Sequence, residues 1–175
     1  RKNKIKEEIE RYSIIRAVTA VERADVVIIV IDATEGVTEQ DAKIAGIAHD
    51  RGKGIIIAVN KWDAIEKDNN TVKKHTEKIR QILSFMPYAE ILFISAKSGQ
   101  RLNKIFEMID VVIENNSMRV ATGVLNEIVT EAVAMQQPPT DKGKRLKIYY
   151  VTQVAVKPPT FVVFVNDKNL MHFSY

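Results

Sequence analysis

Three apolar runs recur along the first two thirds of the chain, and each is flanked by stretches with helical spacing. Residues 26–31 and 55–60 are dominated by β-branched side chains without polar alternation, and residues 91–95 form a shorter run of the same kind. Such runs are typical of strands that are covered on both faces of a parallel sheet. Apolar residues recur at helical intervals in the stretches 4–23, 38–50, 71–84 and 102–114. Together these patterns predict strands that alternate with amphipathic helices.

A polar residue stands at the end of each predicted strand. These residues are Asp32, Asn60 and Ser95. Strands that alternate with helices imply right-handed crossovers and a parallel sheet with helices on both faces. The carboxyl ends of parallel strands then share one edge, where doubly wound folds bind ligands. The sequence therefore predicts an α/β fold with a candidate site at that edge.

The strand and helix rhythm stops near residues 115–117, which predicts a domain boundary after residue 116. An amphipathic helix is predicted over 120–135, followed by a polar turn at 140–144. Two further strands are predicted over 146–156 and 161–165, on either side of a proline-rich connection. The second part is thus a small α+β unit.

Composition narrows the class of protein. The chain has 175 residues, of which 46% are hydrophobic and 27% charged, as in ordinary globular proteins. Its longest strongly apolar run, 26–31, is far shorter than the roughly 20 residues of a membrane-spanning helix, so no membrane partner is expected. The absence of cysteine excludes disulfides and thiol catalysis and suits a reducing cytoplasm. The three histidines are too scattered to suggest a metal site.

Charge is unevenly distributed between the two predicted parts. The net charge is +4, with 19 Lys and Arg against 18 Asp and Glu in residues 1–115, and 7 against 4 in residues 116–175. The basic residues of the second part cluster around a turn, at Lys142, Lys144, Arg145 and Lys147. Such a cluster favours an anionic partner such as RNA, and a solvated surface explains it equally well.

The tetrapeptide Asn60-Lys61-Trp62-Asp63 follows the second predicted strand and carries the strongest chemical signal. Guanine presents two adjacent donors, its N1–H and its 2-amino group, and one fixed carboxylate can accept both. We expect Asp63 to be that carboxylate. Asn60 either ties the loop down or donates to N7, and the aliphatic stem of Lys61 covers one face of the base. Adenine lacks the 2-amino group and would leave the carboxylate unpaired.

The tripeptide Ser95-Ala96-Lys97 follows the next strand along the chain. Its position predicts that the backbone N–H of Ala96 lies near the guanine O6, that Ser95 braces the loop, and that Lys97 lies beside the ring. Because both motifs end neighbouring parallel strands, the sequence predicts one guanine-nucleotide site for GTP or GDP, made by these seven residues.

The two motifs resemble the base-recognition patterns Asn-Lys-x-Asp and Ser-Ala-Lys of the P-loop GTPases. The chain as a whole resembles the Der (EngA) family, through residues 12–40 and 60–67 of the first part and 124–127, 145–150 and 157–166 of the second. That family has two successive GTPase domains followed by a KH-like domain, and it acts in assembly of the large ribosomal subunit. The resemblance implies a partial P-loop GTPase domain over residues 1–116 and a small KH-like domain over 117–175, incomplete at its C-terminus.

The sequence departs from that family on the phosphate side. It has no phosphate loop of the form Gly-x-x-x-x-Gly-Lys-Ser/Thr, and the segment 46–54 that comes nearest is interpreted as a helix end and turn. It also lacks the magnesium-linked Asp-x-x-Gly motif. We therefore expect no catalytic residue, no Mg²⁺ ligand and no GTP hydrolysis by this chain alone, although Mg²⁺ accompanies the nucleotide in the family.

The resemblance also implies partners. It predicts ribosomal RNA or the large ribosomal subunit, and another GTPase domain in the full-length protein. A KH domain binds the nucleic-acid backbone through Gly-x-x-Gly, which this sequence lacks. The resemblance to KH domains therefore concerns the fold more than RNA binding. The alternative hypothesis is a non-catalytic RNA- or protein-binding module on an α/β scaffold.

Overall fold

The structure is a computed structural model in which residues 2–138, 140–141 and 143–171 are described, with side chains from residue 13 onward except that of residue 141. The chain divides into two units, residues 1–116 and 117–175, which are described separately. The first unit contains α1 (Lys2–Arg23), β1 (Val26–Asp32), α2 (Glu39–Asp50), β2 (Gly54–Asn60), α3 (Thr71–Ile82), β3 (Glu90–Phe93) and α4 (Asn103–Ser117). This alternation confirms the predicted α/β fold.

The three strands of the first unit form one parallel sheet in the order β1-β2-β3. The central strand β2 is buried from Gly54 to Val59, as its unbroken apolar sequence predicts. Its register with β1 pairs Val26 with Gly54 at one end and Asp32 with Asn60 at the other. The polar ends of β1 and β2 therefore lie side by side.

Two local signals set the ends of α2. The hydroxyl of Thr38 accepts a hydrogen bond from the Asp41 N–H at 3.2 Å, and the Asp41 carboxylate accepts from the Thr38 N–H at 2.9 Å. This capping box satisfies backbone donors that a helix start leaves unpaired. Beyond the last turn, Gly52 has a φ of 62°, in the left-handed region that suits glycine.

Gly54 was interpreted with Gly52 as a residue that closes this helix, but the structure gives it another role. It is the first residue of β2, where a Cβ atom would lie 2.5 Å from Cγ1 of Val112 on α4. Glycine here allows α4 to approach the sheet closely. The segment 46–54 therefore consists of a helical turn, a left-handed turn and a close-packed strand start.

The second unit pairs one helix with two hairpins. Helix α5 (Thr122–Met135) is followed by the short antiparallel pair β4 (Thr140–Asp141) and β5 (Lys144–Arg145), and then by the pair β6 (Ile148–Ala155) and β7 (Thr160–Val165). A 3-10 helix covers Lys168–Leu170. The predicted helix and long hairpin are present, and the segment predicted as a polar turn, 140–144, contains β4 and the start of β5.

Amide side chains hold the second unit together where its sheet is narrow. Asn126 on α5 donates to the Val151 carbonyl and accepts from the Val151 N–H, both at 2.9 Å. The buried Gln153 accepts from the Val120 N–H at 2.7 Å and donates to the Met118 carbonyl at 2.9 Å. These side chains supply hydrogen bonds that buried backbone groups require.

Candidate nucleotide-binding site

The loop after β2 turns sharply at Lys61, which has left-handed backbone angles, φ 61° and ψ 30°. A short 3-10 helix, Trp62–Ala64, follows directly. This turn leaves Lys61 and Asp63 exposed while Trp62 is only 3% exposed. The loop thus presents a cation and a carboxylate to solvent at the carboxyl end of the central strand.

Trp62 anchors this loop in the core. Its ring centroid lies 4.4 Å from that of Phe93 and 5.1 Å from that of His75. The backbone N–H of Trp62 donates to the Ile94 carbonyl at 3.0 Å. The prediction that Trp62 belongs to the site is corrected for its side chain, which packs inward and leaves only its backbone in the loop. The burial of this large ring fixes the positions of its two neighbours.

The loop after β3 is organised by Ser95, which is fully buried. Strand β3 ends at Phe93, not at Ser95 as predicted, and Ser95 instead forms an isolated bridge with Gln100. Its N–H donates to the Gln100 carbonyl and its hydroxyl accepts from the Ser98 N–H, both at 3.1 Å. Ala96 and Lys97 lie on the exposed side of the loop.

The two loops are joined by side-chain hydrogen bonds. Oδ1 of Asn60 accepts from the backbone N–H of Ala96 at 2.9 Å. The Ser95 hydroxyl beside Asp63 lowers the pKa of that carboxyl, and the nearby cations Lys97 and Lys67 lower it further. Asp63 is therefore ionised at neutral pH and lies next to the loop that carries Ala96.

This geometry bears on the two roles considered for Asn60 and on the role of Ala96. Asn60 ties one loop to the other through its Oδ1. The Ala96 N–H already has Asn60 Oδ1 as its acceptor, so a guanine O6 would share that hydrogen or replace the bond. The assignment of these contacts to a base stays a prediction.

Sequence reasoning noted Asp32 as a polar strand end without giving it a role. In the structure its carboxylate forms an ion pair with the Lys61 ammonium. Hydrogen bonds from Lys61 and from Thr34 lower the Asp32 pKa from 3.8 to about 2. The sequence signal for this contact is that Asp32 ends one predicted strand and Lys61 directly follows the next.

The described residues contain no group of three or more His, Cys, Asp or Glu side chains that could hold a metal ion. In the same described part of the chain, no helix has both the length and the apolar character needed to cross a membrane.

The basic turn of the second unit lies on β5 and the segment after it. Lys144, Arg145 and Lys147 are exposed, and Arg145 donates to the Gln137 side chain at 2.7 Å. Lys142, the fourth residue of the predicted cluster, lies outside the described residues. Three neighbouring cations are thus available to an anionic partner.

Comparison with known proteins gives matches over nearly the whole chain. The family described as the elongation factor Tu GTP-binding domain matches residues 13–115, and that described as the KH-domain-like C-terminal part of EngA bacterial GTPases matches residues 119–175. The translation elongation factor SelB of Methanococcus maripaludis, solved with the GTP analogue GppNHp, superposes with a TM-score of 0.51 at 25% identity, over 57% of this chain and 22% of that one. The first unit is thus part of a GTP-binding domain of the P-loop GTPase class.

Curated relatives identify the family within that class. The protein named GTPase Der in Agathobacter rectalis is 95% identical over all 175 residues, and that of Lachnoclostridium phytofermentans is 75% identical over the same length. The chain spans 40% of the length of each of these relatives. It belongs to the Der (EngA) family of GTPases, which confirms the resemblance found in the sequence.

Proposed function

We propose that the loops after β2 and β3 bind the guanine base of GTP or GDP. The observation that carries the proposal is the hydrogen bond between Asn60 Oδ1 and the Ala96 N–H at 2.9 Å. This bond holds the loop of Asp63 next to the loop of Ala96. In the proposed complex the carboxylate accepts from the base, and O6 of the base shares the Ala96 hydrogen with Asn60 Oδ1 or replaces that bond. The N1–H and 2-amino group of guanine match the carboxylate, and O6 matches the amide.

The ionisation of Asp63 supports selectivity for guanine. Its pKa is lowered by the Ser95 hydroxyl, so the carboxylate can accept two hydrogen bonds throughout the neutral range. Adenine has an acceptor at N1 and no 2-amino group, so it would leave the charged oxygens without donors. A base with the wrong edge is therefore rejected by an unmatched charge.

The substitution Asp63→Asn tests this proposal. An amide can donate to the 2-carbonyl of xanthine but cannot accept two donors from guanine through its NH₂ group. We expect the variant to bind GMP about tenfold or more weakly, since a charged acceptor is lost, and to bind XMP more tightly than the original chain does. NMR titrations that follow the Asp63 and Ala96 amides, with GMP, XMP and AMP, measure both effects.

Glu66→Gln provides the matched control, because Glu66 is an exposed carboxylate three positions away in the same loop. It should leave the GMP affinity and the order of the three nucleotides unchanged. The proposal is overturned if the original chain shows no preference for GMP over XMP and AMP, or if Asp63→Asn keeps that preference.

We further infer that the protein containing this chain hydrolyses GTP and acts in assembly of the large ribosomal subunit in the cytoplasm. Support comes from membership of the Der family and from the name GTPase carried by its relatives. This sequence has neither a phosphate loop nor an Asp-x-x-Gly motif. Because phosphoryl transfer depends on groups around the phosphates, we expect no phosphate release by this chain alone. A phosphate-release assay with GTP and Mg²⁺ tests this expectation.

A second candidate function, RNA binding by the second unit, is favoured by the exposed cations Lys144, Arg145 and Lys147. Ribosomal RNA is the partner expected of the family. Replacing these three residues by Ala should weaken binding of the full chain to a short single-stranded RNA. The affinity falls as salt rises, and each lost phosphate contact should make the slope of log affinity against log salt shallower by about 0.7. Replacing Lys43, Lys73 and Lys104 by Ala is the control, and equal losses in the two triple variants would contradict a specific surface.

A further inference from the structure

Asp32 lies at the end of the edge strand β1, beside the candidate base site. It ends β1 directly opposite Asn60, which ends β2. The next residue continues this contact, since the Ala33 N–H donates to the Asn60 carbonyl at 2.9 Å. The residue that ties the two loops is therefore itself held by the end of β1.

The carboxylate of Asp32 is fixed on both oxygens. Oδ1 accepts from the Thr34 N–H at 2.9 Å and from the Thr34 hydroxyl at 2.7 Å, while Oδ2 pairs with the Lys61 ammonium. The Asp32 carbonyl accepts from the Gly36 N–H at 2.8 Å, which closes the following turn. Its side chain is 21% exposed, whereas that of Lys61 is 59% exposed. Asp32 is thus the more buried member of the pair and has hydrogen-bond partners besides Lys61.

Lys61 needs such a restraint more than most surface lysines do. Its left-handed backbone is unfavourable for a residue with a Cβ atom, and its four-carbon stem has many rotamers in solvent. The ion pair fixes the far end of that stem next to the strand ends. A stem fixed at both ends is an ordered apolar wall, which the proposed covering of one face of the base requires.

We propose that Asp32 is a positioning residue for base binding, which holds the Lys61 side chain along the site without touching the nucleotide. This inference rests on the proposed guanine-binding function. In this proposal the edge strand β1 contributes to the affinity for the nucleotide through the ion pair between Asp32 and Lys61. The preference for one base over another is set by Asp63 in the proposed site. Loss of the ion pair should therefore weaken the binding of GMP and of XMP by the same factor.

The test is a double-mutant cycle on the full chain with GMP. Asp32→Asn keeps an acceptor for Thr34 but lacks the charge that holds Lys61, and Lys61→Met keeps an apolar stem without the ammonium. We expect each single variant to bind GMP about two- to fivefold more weakly, as is typical when an exposed ion pair is lost. The double variant should bind no more weakly than either single variant, because both remove the same interaction.

Two further readouts separate positioning from a loss of fold. The ¹³C relaxation of the Lys61 methylenes should report greater motion in Asp32→Asn, and the ratio of GMP to XMP affinity should not change. Glu66→Gln removes an exposed carboxylate from the loop after β2 and leaves the ion pair, so it should bind GMP as the original chain does. Urea midpoints, followed through Trp62 fluorescence, show whether each variant is folded under the titration conditions.

The inference about Asp32 is overturned if Asp32→Asn binds GMP as tightly as the original chain, or if the effects of Asp32→Asn and Lys61→Met simply add. Such a result would leave guanine binding intact, provided the original chain prefers GMP over XMP. If the original chain shows no preference for GMP over XMP, the proposed guanine-binding function itself is overturned. The two failures therefore give different results.

Discussion

Oδ1 of Asn60 lies 2.9 Å from the backbone nitrogen of Ala96, and the hydrogen bond between them joins two loops that are 36 residues apart in sequence. Each loop continues from a strand of the same parallel sheet, β2 or β3. This bond and that from the Trp62 backbone N–H to the Ile94 carbonyl hold the two proposed base-binding loops next to each other.

We expect Asn60→Ala to weaken GMP binding about two- to tenfold, the effect of one lost hydrogen bond, and to shift the Ala96 amide resonance. Asn60→Asp keeps an acceptor for the Ala96 N–H but has no donor for N7. It should leave the Ala96 resonance in place and still bind GMP more weakly. NMR titration measures both effects, with the exposed Asn69→Ala as control. An unchanged resonance and affinity in Asn60→Ala would show that the bond is dispensable.

Gly54→Ala should destabilise the first unit, because the new Cβ would lie 2.5 Å from Cγ1 of Val112 and 3.3 Å from Cγ2 of Val26. Overpacking of this kind lowers the free energy of unfolding by about 1–3 kcal/mol. Gly46→Ala is the matched control, since no atom lies within 4 Å of a Cβ added there, inside α2. That change should stabilise the helix by about 0.5–1 kcal/mol.

Urea denaturation followed through Trp62, the single tryptophan of the chain, measures both glycine variants. Adding Val112→Ala to Gly54→Ala relieves the overlap, so the double variant should be more stable than the sum of the two single effects implies. Strict additivity would mean that Gly54 and Val112 do not contact each other.

The pH dependence of stability should reflect Asp68. Its carboxylate accepts from the Thr71 hydroxyl at 2.8 Å and from the Lys74 ammonium at 3.0 Å, and these contacts lower its pKa from 3.8 to about 2. A carboxyl with a lowered pKa in the folded state stabilises fully above its unfolded value, and that stabilisation is lost as the pH falls through the folded value. The contribution of Asp68 should therefore disappear between about pH 3.8 and about pH 2.

Asp68→Asn should accordingly be less stable at neutral pH and should show a shallower fall in stability over that acidic interval. Urea midpoints measured across the interval give the comparison, with the exposed Asp50→Asn as a control for removal of one charge. The interpretation fails if Asp68→Asn and Asp50→Asn change the slope equally.

Asn126→Leu should destabilise the second unit while leaving the first unit unchanged. It removes both hydrogen bonds to Val151 and leaves a part-buried N–H and carbonyl without partners, at a cost of about 1–3 kcal/mol each. Thr130→Ala is the control, because its hydroxyl bonds only within its own helix. Amide hydrogen exchange should accelerate in β6 of Asn126→Leu alone, and faster exchange in β2 would contradict separate units.

The sequence was informative where one local pattern decides the structure. Unbroken β-branched runs identify β1 and β2, and polar residues at their ends indicate the edge that carries Asn60 and Asp63. Contacts that depend on register were not predictable. The pairing of Asp32 with Lys61 requires both the β1–β2 alignment and a left-handed lysine, and the requirement for glycine at position 54 arises from Val112, 58 residues later.

The direction of side chains in short turns could not be predicted from the sequence pattern either. Trp62 follows Lys61 in a three-residue 3-10 helix, which is too short for periodicity to show which side chain turns inward. The roles of Asn126 and Gln153 were missed because an amide that bonds to distant backbone looks in sequence like any polar surface residue. The assignment of the loops to guanine itself remains a prediction that the GMP and XMP titrations test.

The pairing of Asp32 with Asn60 at the end of the β1–β2 ladder connects the proposed base site to the hydrophobic interior. A slip of one position along that ladder would point every β1 side chain to the opposite face and carry Asp32 away from Lys61. The alignment is set by buried residues such as Ile29 and Ile57, which face no solvent. Changes that enlarge or shrink those interior side chains should therefore alter the affinity of the proposed site for a nucleotide that they do not contact.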